Sequence, residues 1–125
     1  VLGGNVDDHN KNFSFLMDDD GHWHVAPTYD YTFSVDPDAP YYVNRHSMTI
    51  NNKTEGITAE DLLEVARRYG IKAAEPFIEK AIGIVSHYPE YGREAGVGEE
   101  WIGTIEKEIA ARIECVSDNR ADRLK

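Results

Sequence analysis

The chain has 125 residues, one domain's worth, enough to bury about two-thirds of the surface its unfolded form exposes. Hydrophobic residues make up 41% and charged residues 29%, an ordinary globular balance, and no apolar run approaches the length of a membrane-spanning helix. A net charge of −10 argues against direct binding of nucleic acid through a broad basic face and reads instead as a solvated acidic surface.

No leader pattern of basic then apolar residues opens the chain, and its first residue is Val1, which suggests a processed chain or an excised piece of a longer one. The single Cys115 cannot form an internal disulfide and reads as a small packing residue in a reducing compartment, the bacterial cytoplasm.

In chain order, Gly4 to Asn12 forms a tight loop rich in polar groups. Phe13 to Met17 predicts a short strand, Asp18-Asp19-Asp20-Gly21 a turn, and His22 to Val25 the return strand of a β-hairpin that Pro27 ends. Residues 31–46 read as irregular, because Asp36-Pro37-Asp38-Ala39-Pro40 suits neither helix nor strand. Tyr31, Phe33, Tyr41 and Tyr42 around it predict a loop packed onto the body. Ser47 to Ile50 predicts another short strand.

Near residue 57 the pattern changes to helices. Thr58 is an expected N-cap accepting from the Asp61 N–H, with Gly70 as the stop, and Leu62, Leu63, Val65, Ala66 and Tyr69 as the apolar face. A second helix is expected over about 73–87, with Phe77, Ile78, Ala81, Ile82 and Val85 on one stripe, Pro76 in its first turn, and Pro89 and Gly92 as its breakers. A third is expected over about 99–120, with Trp101, Ile102, Ile105, Ile109, Arg112, Ile113 and Val116 on its face and a frayed tail beyond. Trp23 and Trp101 are expected to be core or half-buried. The predicted fold is mainly α (α+β), a short hairpin and irregular loops resting on a small helical bundle. It reads as one domain over 1–125, divided at about residue 57.

The chemistry concentrates at the start. Asp7 is followed five residues later by Asn12, then strand, turn, strand, and Asp30. Phosphoryl transfer of the kinase type needs a carboxylate to receive the proton of the attacking hydroxyl. It also needs a side-chain amide and a second carboxylate to hold the metal that neutralises the phosphates. Asp7, Asn12 and Asp30 fit those roles in that order, and protein kinases arrange their catalytic loop and metal-binding Asp in this way. Other clusters carry less. His22 and His24 alternate on a strand and could join Asp18 or Asp20 around a transition metal, and Asp18-Asp19-Asp20-Gly21 has part of a calcium-loop pattern. A hairpin turn accounts for both. Asp8 reads as a neighbour of the base, His46 as structural. Ser47, Thr32 and Ser34 are candidate phosphosites that nothing ranks.

The segments Asp7 to Phe15, Pro27-Thr28-Tyr29-Asp30, His46 to Asn51 with Lys53, and Ile57 to Leu62 together resemble the C-terminal lobe of HipA-like serine/threonine protein kinases, the toxins of HipBA-type modules. The resemblance covers about residues 1–85. It implies that Asp7 is the catalytic base, that Asn12 and Asp30 hold Mg²⁺, and that His9, Asn10, Lys11 and Tyr29 join Asn12 and Asp30 around the ATP phosphates. As in that family, Asp30 sits in Tyr29-Asp30-Tyr31 rather than Asp-Phe-Gly, and His9 rather than Lys lies two residues beyond the base. The resemblance also implies a protein substrate, a tRNA synthetase by family analogy, and a HipB-like DNA-binding antitoxin through which any DNA contact would come.

The 125 residues contain no phosphate-covering loop on a strand and no upstream Lys for the α- and β-phosphates, since Lys53 falls after Asp30. The expectation is therefore a C-terminal part of a larger kinase, inactive without its N-terminal lobe. The alternative is a non-catalytic C-lobe module that binds an antitoxin or a separate N-lobe protein. A metal-dependent hydrolase is a third reading, supported only by the richness in Asp.

Overall fold

The computed structural model describes residues 1–117. Two short strands, β1 (Phe15–Met17) and β2 (Trp23–Val25), precede four helices: α1 (Ala59–Tyr69), α2 (Ala74–Val85), α3 (Tyr88–Glu94) and α4 (Glu99–Ser117). Single 3₁₀ turns at Asn10–Asn12 and Tyr41–Asn44 punctuate the loops. The mainly helical class with one hairpin is as the sequence predicts. The expected last turn of α4 and the frayed tail lie outside the described residues.

The hairpin is antiparallel, with Phe15 opposite Val25, Leu16 opposite His24 and Met17 opposite Trp23. Its turn is closed by Asp18, whose carboxylate accepts the N–H groups of Asp20 at 3.0 Å and His22 at 2.8 Å. Gly21 supplies the left-handed φ of 84° that the turn needs.

Helix α1 starts and stops as its residues dictate. The Thr58 hydroxyl accepts from the Asp61 N–H at 3.4 Å, and the Asp61 carboxylate accepts from the Thr58 N–H at 2.9 Å, a reciprocal capping box. At the other end Gly70 turns left-handed, and the Ile71 N–H reaches back to the Ala66 carbonyl at 2.8 Å. Helix α1 packs on α2, and α3 on α4. Leu2, Ala59, Ile78 and Val116 form the buried centre, with Val1, Leu62, Leu63, Ala81, Ile82, Val85 and Ile113 packed around it. The chain's first residues therefore thread through the helical core before they reach the polar loop.

Four expectations are corrected. Pro89 and Gly92 do not interrupt the helices; they lie inside α3. Pro89 is in its first turn, where a missing N–H costs nothing, and Gly92 lets the Ile102 side chain approach to 3.1 Å from where a Cβ would stand. Ser47 to Ile50 forms no strand, only an isolated bridge from Ile50 to Lys53, because the Ser47 and Met48 N–H groups are taken by the Asp8 carboxylate. Trp23 and Trp101 are exposed, at 67% and 59%, and so are Tyr31, Tyr41 and Tyr42. The irregular loop is anchored by Val35, which is buried, and by Phe33, against which Gly4 packs.

Gly4 has a φ of 68°, and a Cβ there would lie 2.6 Å from the Phe33 ring. Gly21 is equally left-handed but faces open space. Gly4→Ala is expected to cost about 2–4 kcal/mol, combining strain with overpacking, and Gly21→Ala about 1 kcal/mol from strain alone. Urea unfolding of the two variants measures the difference.

Candidate functional site

The segment Gly4–Asp8 lies outside any helix or sheet, so its backbone polar groups need partners from elsewhere. Ser34 provides several. Its hydroxyl accepts from the N–H of Val6 at 2.9 Å and of Asp7 at 3.1 Å and donates to Asn5 Oδ1 at 3.5 Å, while its own N–H donates to the Gly4 carbonyl at 3.0 Å. On the other side, the Ser47 N–H donates to the Val6 carbonyl at 3.0 Å. Asp7 is thus held by its backbone, and its carboxylate stays 65% exposed, with His9 Nε2 at 3.7 Å as its ionic neighbour.

Asp8 points the opposite way. Its carboxylate accepts from His46 Nδ1 at 2.8 Å and from the N–H groups of Ser47 at 2.8 Å and Met48 at 3.2 Å. An ionised carboxylate only accepts, so the His46 proton sits on Nδ1. Burial pushes the Asp8 pKa up, but the Met48 N–H, the His46 ring and the Ser47 N–H outweigh it and hold the carboxyl below its ordinary value. Burial lowers the His46 pKa below its ordinary value against the opposing pull of the Asp8 carboxylate.

From His9 the chain makes a 3₁₀ turn, with the Asn12 N–H donating to the His9 carbonyl at 3.0 Å. The turn brings the Asn12 side chain back over the loop, where Nδ2 donates to the Asp7 carbonyl at 3.2 Å. That bond leaves Asn12 Oδ1 with no hydrogen bond among the described residues. The hairpin then returns the chain to the loop, and the Tyr29 hydroxyl donates to the Lys11 carbonyl at 2.9 Å. Asp30 follows at a left-handed φ of 54°, a conformation that Asp tolerates better than most residues. Its carboxylate is exposed and makes no hydrogen bond or ion pair among the described residues.

Direct contacts join Asp7 with His9 and Asn12, and Lys11 with Tyr29, while Asp30 follows Tyr29 in the chain. Asn10 lies exposed in the 3₁₀ turn, and neither its side chain nor the Asp30 carboxylate touches the others. The Asn12 amide oxygen and the Asp30 carboxylate are hard oxygen donors, the chemical type that Mg²⁺ takes. Sequence reading missed Ser34 as the clamp on the Asp7 backbone, while Asp8, read as a neighbour that is solvated or hydrogen-bonds the loop, does the latter. The pairing of Asp8 with His46 had a signal in the His46-Ser47-Met48 segment, but Ser34 had none beyond lying four residues after Asp30.

Comparison with known proteins adds one finding. A family model described as a HipA-like C-terminal domain matches residues 1–112. The match runs past residue 85, where the resemblance seen by eye stops, and takes in α3 and most of α4. No curated protein and no solved structure matches the chain.

Two outcomes follow from these contacts. Ser34→Ala strands the Val6 and Asp7 N–H groups and is expected to cost about 1–3 kcal/mol in urea unfolding, while Ser34→Thr keeps the hydroxyl and most of the stability. Both anchors also make the fold acid-sensitive. The depressed His46 pKa means its contribution is full above the unfolded value of about 6.5 and erodes as pH falls below it. The depressed Asp8 pKa means its share is full above about 3.9 and is lost as pH falls through the folded value. Unfolding free energy measured against pH should decline in these two windows, and His46→Gln should flatten the upper one.

Proposed function

The chain belongs to the HipA-like C-terminal domain family, the C-lobe of a kinase family, and on that premise we propose that it carries the phosphoryl-transfer loop of an ATP- and Mg²⁺-dependent serine/threonine protein kinase. The observation that carries this reading is the Asn12 Nδ2 bond to the Asp7 backbone carbonyl, which holds the Asn12 amide beside the exposed Asp7 and leaves its Oδ1 without a hydrogen bond among the described residues. Asp7 accepts the proton of the attacking hydroxyl. Asn12 and Asp30 would hold Mg²⁺, which supplies charge neutralisation at the phosphates when bound. His9, Asn10, Lys11 and Tyr29 line the approach to those phosphates, with Tyr29 fixing the loop through the Lys11 carbonyl.

The rest of the machinery belongs to a second lobe that covers the nucleotide, and the exposed apolar residues of the hairpin, among them Phe15, Met17 and Trp23, suit contact with such a partner. The family reading extends to a protein substrate, a tRNA synthetase, to a HipB-like DNA-binding antitoxin, and to the bacterial cytoplasm. The same exposed hairpin favours the second reading, a non-catalytic C-lobe that keeps the binding face and lacks turnover.

The two readings separate in activity. The 125-residue chain alone is expected to transfer no phosphoryl group to protein. Joined to a nucleotide-covering lobe it should do so, and Asp7→Asn should then lower kcat by about 10²–10⁴-fold, the usual worth of a positioned base. Calorimetry with ATP and Mg²⁺ should show any binding weakened in Asp30→Ala. Turnover by the isolated chain, or turnover that ignores Asp7→Asn, contradicts the proposal.

A further inference from the structure

We propose that the tip of the β1–β2 hairpin is a transition-metal site in which Asp18, Asp20, His22 and His24 bind Zn²⁺. The proposal is independent of the phosphoryl-transfer reading.

The side-chain alternation of a hairpin places Asp18, His22 and His24 on one face of the ribbon. Asp18 sits across from His22 and diagonal to His24, within reach of both rings. Both imidazoles approach the same atom: His24 Nε2 lies 2.9 Å and His22 Nδ1 3.5 Å from Asp18 Oδ2. A zinc ion with nitrogen and oxygen ligands at about 2.0–2.1 Å separates tetrahedral donors by about 3.3 Å. The two observed distances bracket that spacing. Donor atoms of Asp18, Asp20 and His22 all lie within 4.8 Å of one another, and His24 joins this group through its contact with Asp18 Oδ2.

The backbone under these donors is already set. Asp18 Oδ1 holds the turn through the Asp20 and His22 N–H groups, which leaves Oδ2 directed at the rings. Each ring binds as the neutral tautomer that carries its proton on the other nitrogen. Two imidazoles select zinc and its neighbours over Mg²⁺, which separates this site from the all-oxygen set of Asn12 and Asp30. The geometry forms a cross-strand chelate, so the ion would tie the end of the hairpin together.

The test is calorimetric titration of ZnCl₂ into the 125-residue chain with excess MgCl₂ present. The expected result is saturable one-to-one binding, weakened more than about tenfold in His24→Ala and lost in the double variant His22→Ala, His24→Ala. Asp30→Ala should bind zinc as the parent chain does. Both histidines are solvent-exposed, so the variants should keep the parent circular dichroism spectrum. Zinc should also raise the thermal midpoint of the parent chain but not of the double variant. No saturable zinc binding by the parent, binding that survives in the double variant, or binding that disappears in Asp30→Ala would each overturn the proposal.

Discussion

A segment that crosses a core without joining a helix or sheet must have its peptide groups satisfied by side chains and loops, and the five residues Gly4 to Asp8 are under that constraint. Ser34 meets it from one side, and Ser47 and the Asp8–His46 pair from the other. Leu2 and Val6, both buried, fix the depth of the segment, and Gly4 allows the Phe33 ring to close against it. These contacts divide the adjacent Asp7 and Asp8 into two kinds of carboxylate. One is turned inward and spent on structure. The other is left exposed to solvent.

A second polar hub joins the loops to the helices. Asp61 is nearly fully buried, and its two oxygens accept from Asn51 Nδ2 at 3.0 Å, Lys53 Nζ at 2.7 Å, and the N–H and hydroxyl of Thr58 at 2.9 and 2.8 Å. Burial pushes the carboxyl pKa up, but the Lys53 ammonium and the other donors prevail and hold it far below the usual carboxylate range. A buried charge is tolerated when its lone pairs are all engaged and a counter-ion is at hand. Here the arrangement also has a topological effect. The residue that caps α1 pins the tight turn around Asn51–Asn52, two left-handed residues that lead back to His46 through the hydrogen bond from its N–H to the Thr54 carbonyl. The helix start and the anchor of the catalytic-type loop are thereby parts of one network.

Much of this was legible because it is local. The Thr58–Asp61 box, the Gly70 stop, the hairpin turn and the spacing of Asp7, Asn12 and Asp30 each depend on residues within a few positions of one another or on a single turn of chain. The apolar stripes of α1, α2 and α4 reported the core members Ile78, Ile102, Ile109 and Val116 for the same reason. The errors fell where burial decides. Aromatic size suggested that Trp23, Trp101 and the tyrosines of the loop would pack inward, yet they stand exposed, while small Ala59 is buried. Pro89 and Gly92 were read as breakers from their propensities, yet both lie in α3, Pro89 in the first turn and Gly92 against Ile102.

The amino-acid sequence by itself determined the hairpin, the helices α1, α2 and α4, and the family, because periodicity, capping and motif spacing are properties of neighbouring positions. Only the tertiary structure decided which of two adjacent Asp residues is free and which is spent, and that Ser34 clamps the Asp7 backbone. It also decided that His46 is a buried partner and that two histidines and an Asp converge at the hairpin tip. Those outcomes rest on contacts between positions as many as about forty residues apart, or on the angle at which a ribbon closes, and a hydrogen bond forms only where distance and direction are both met.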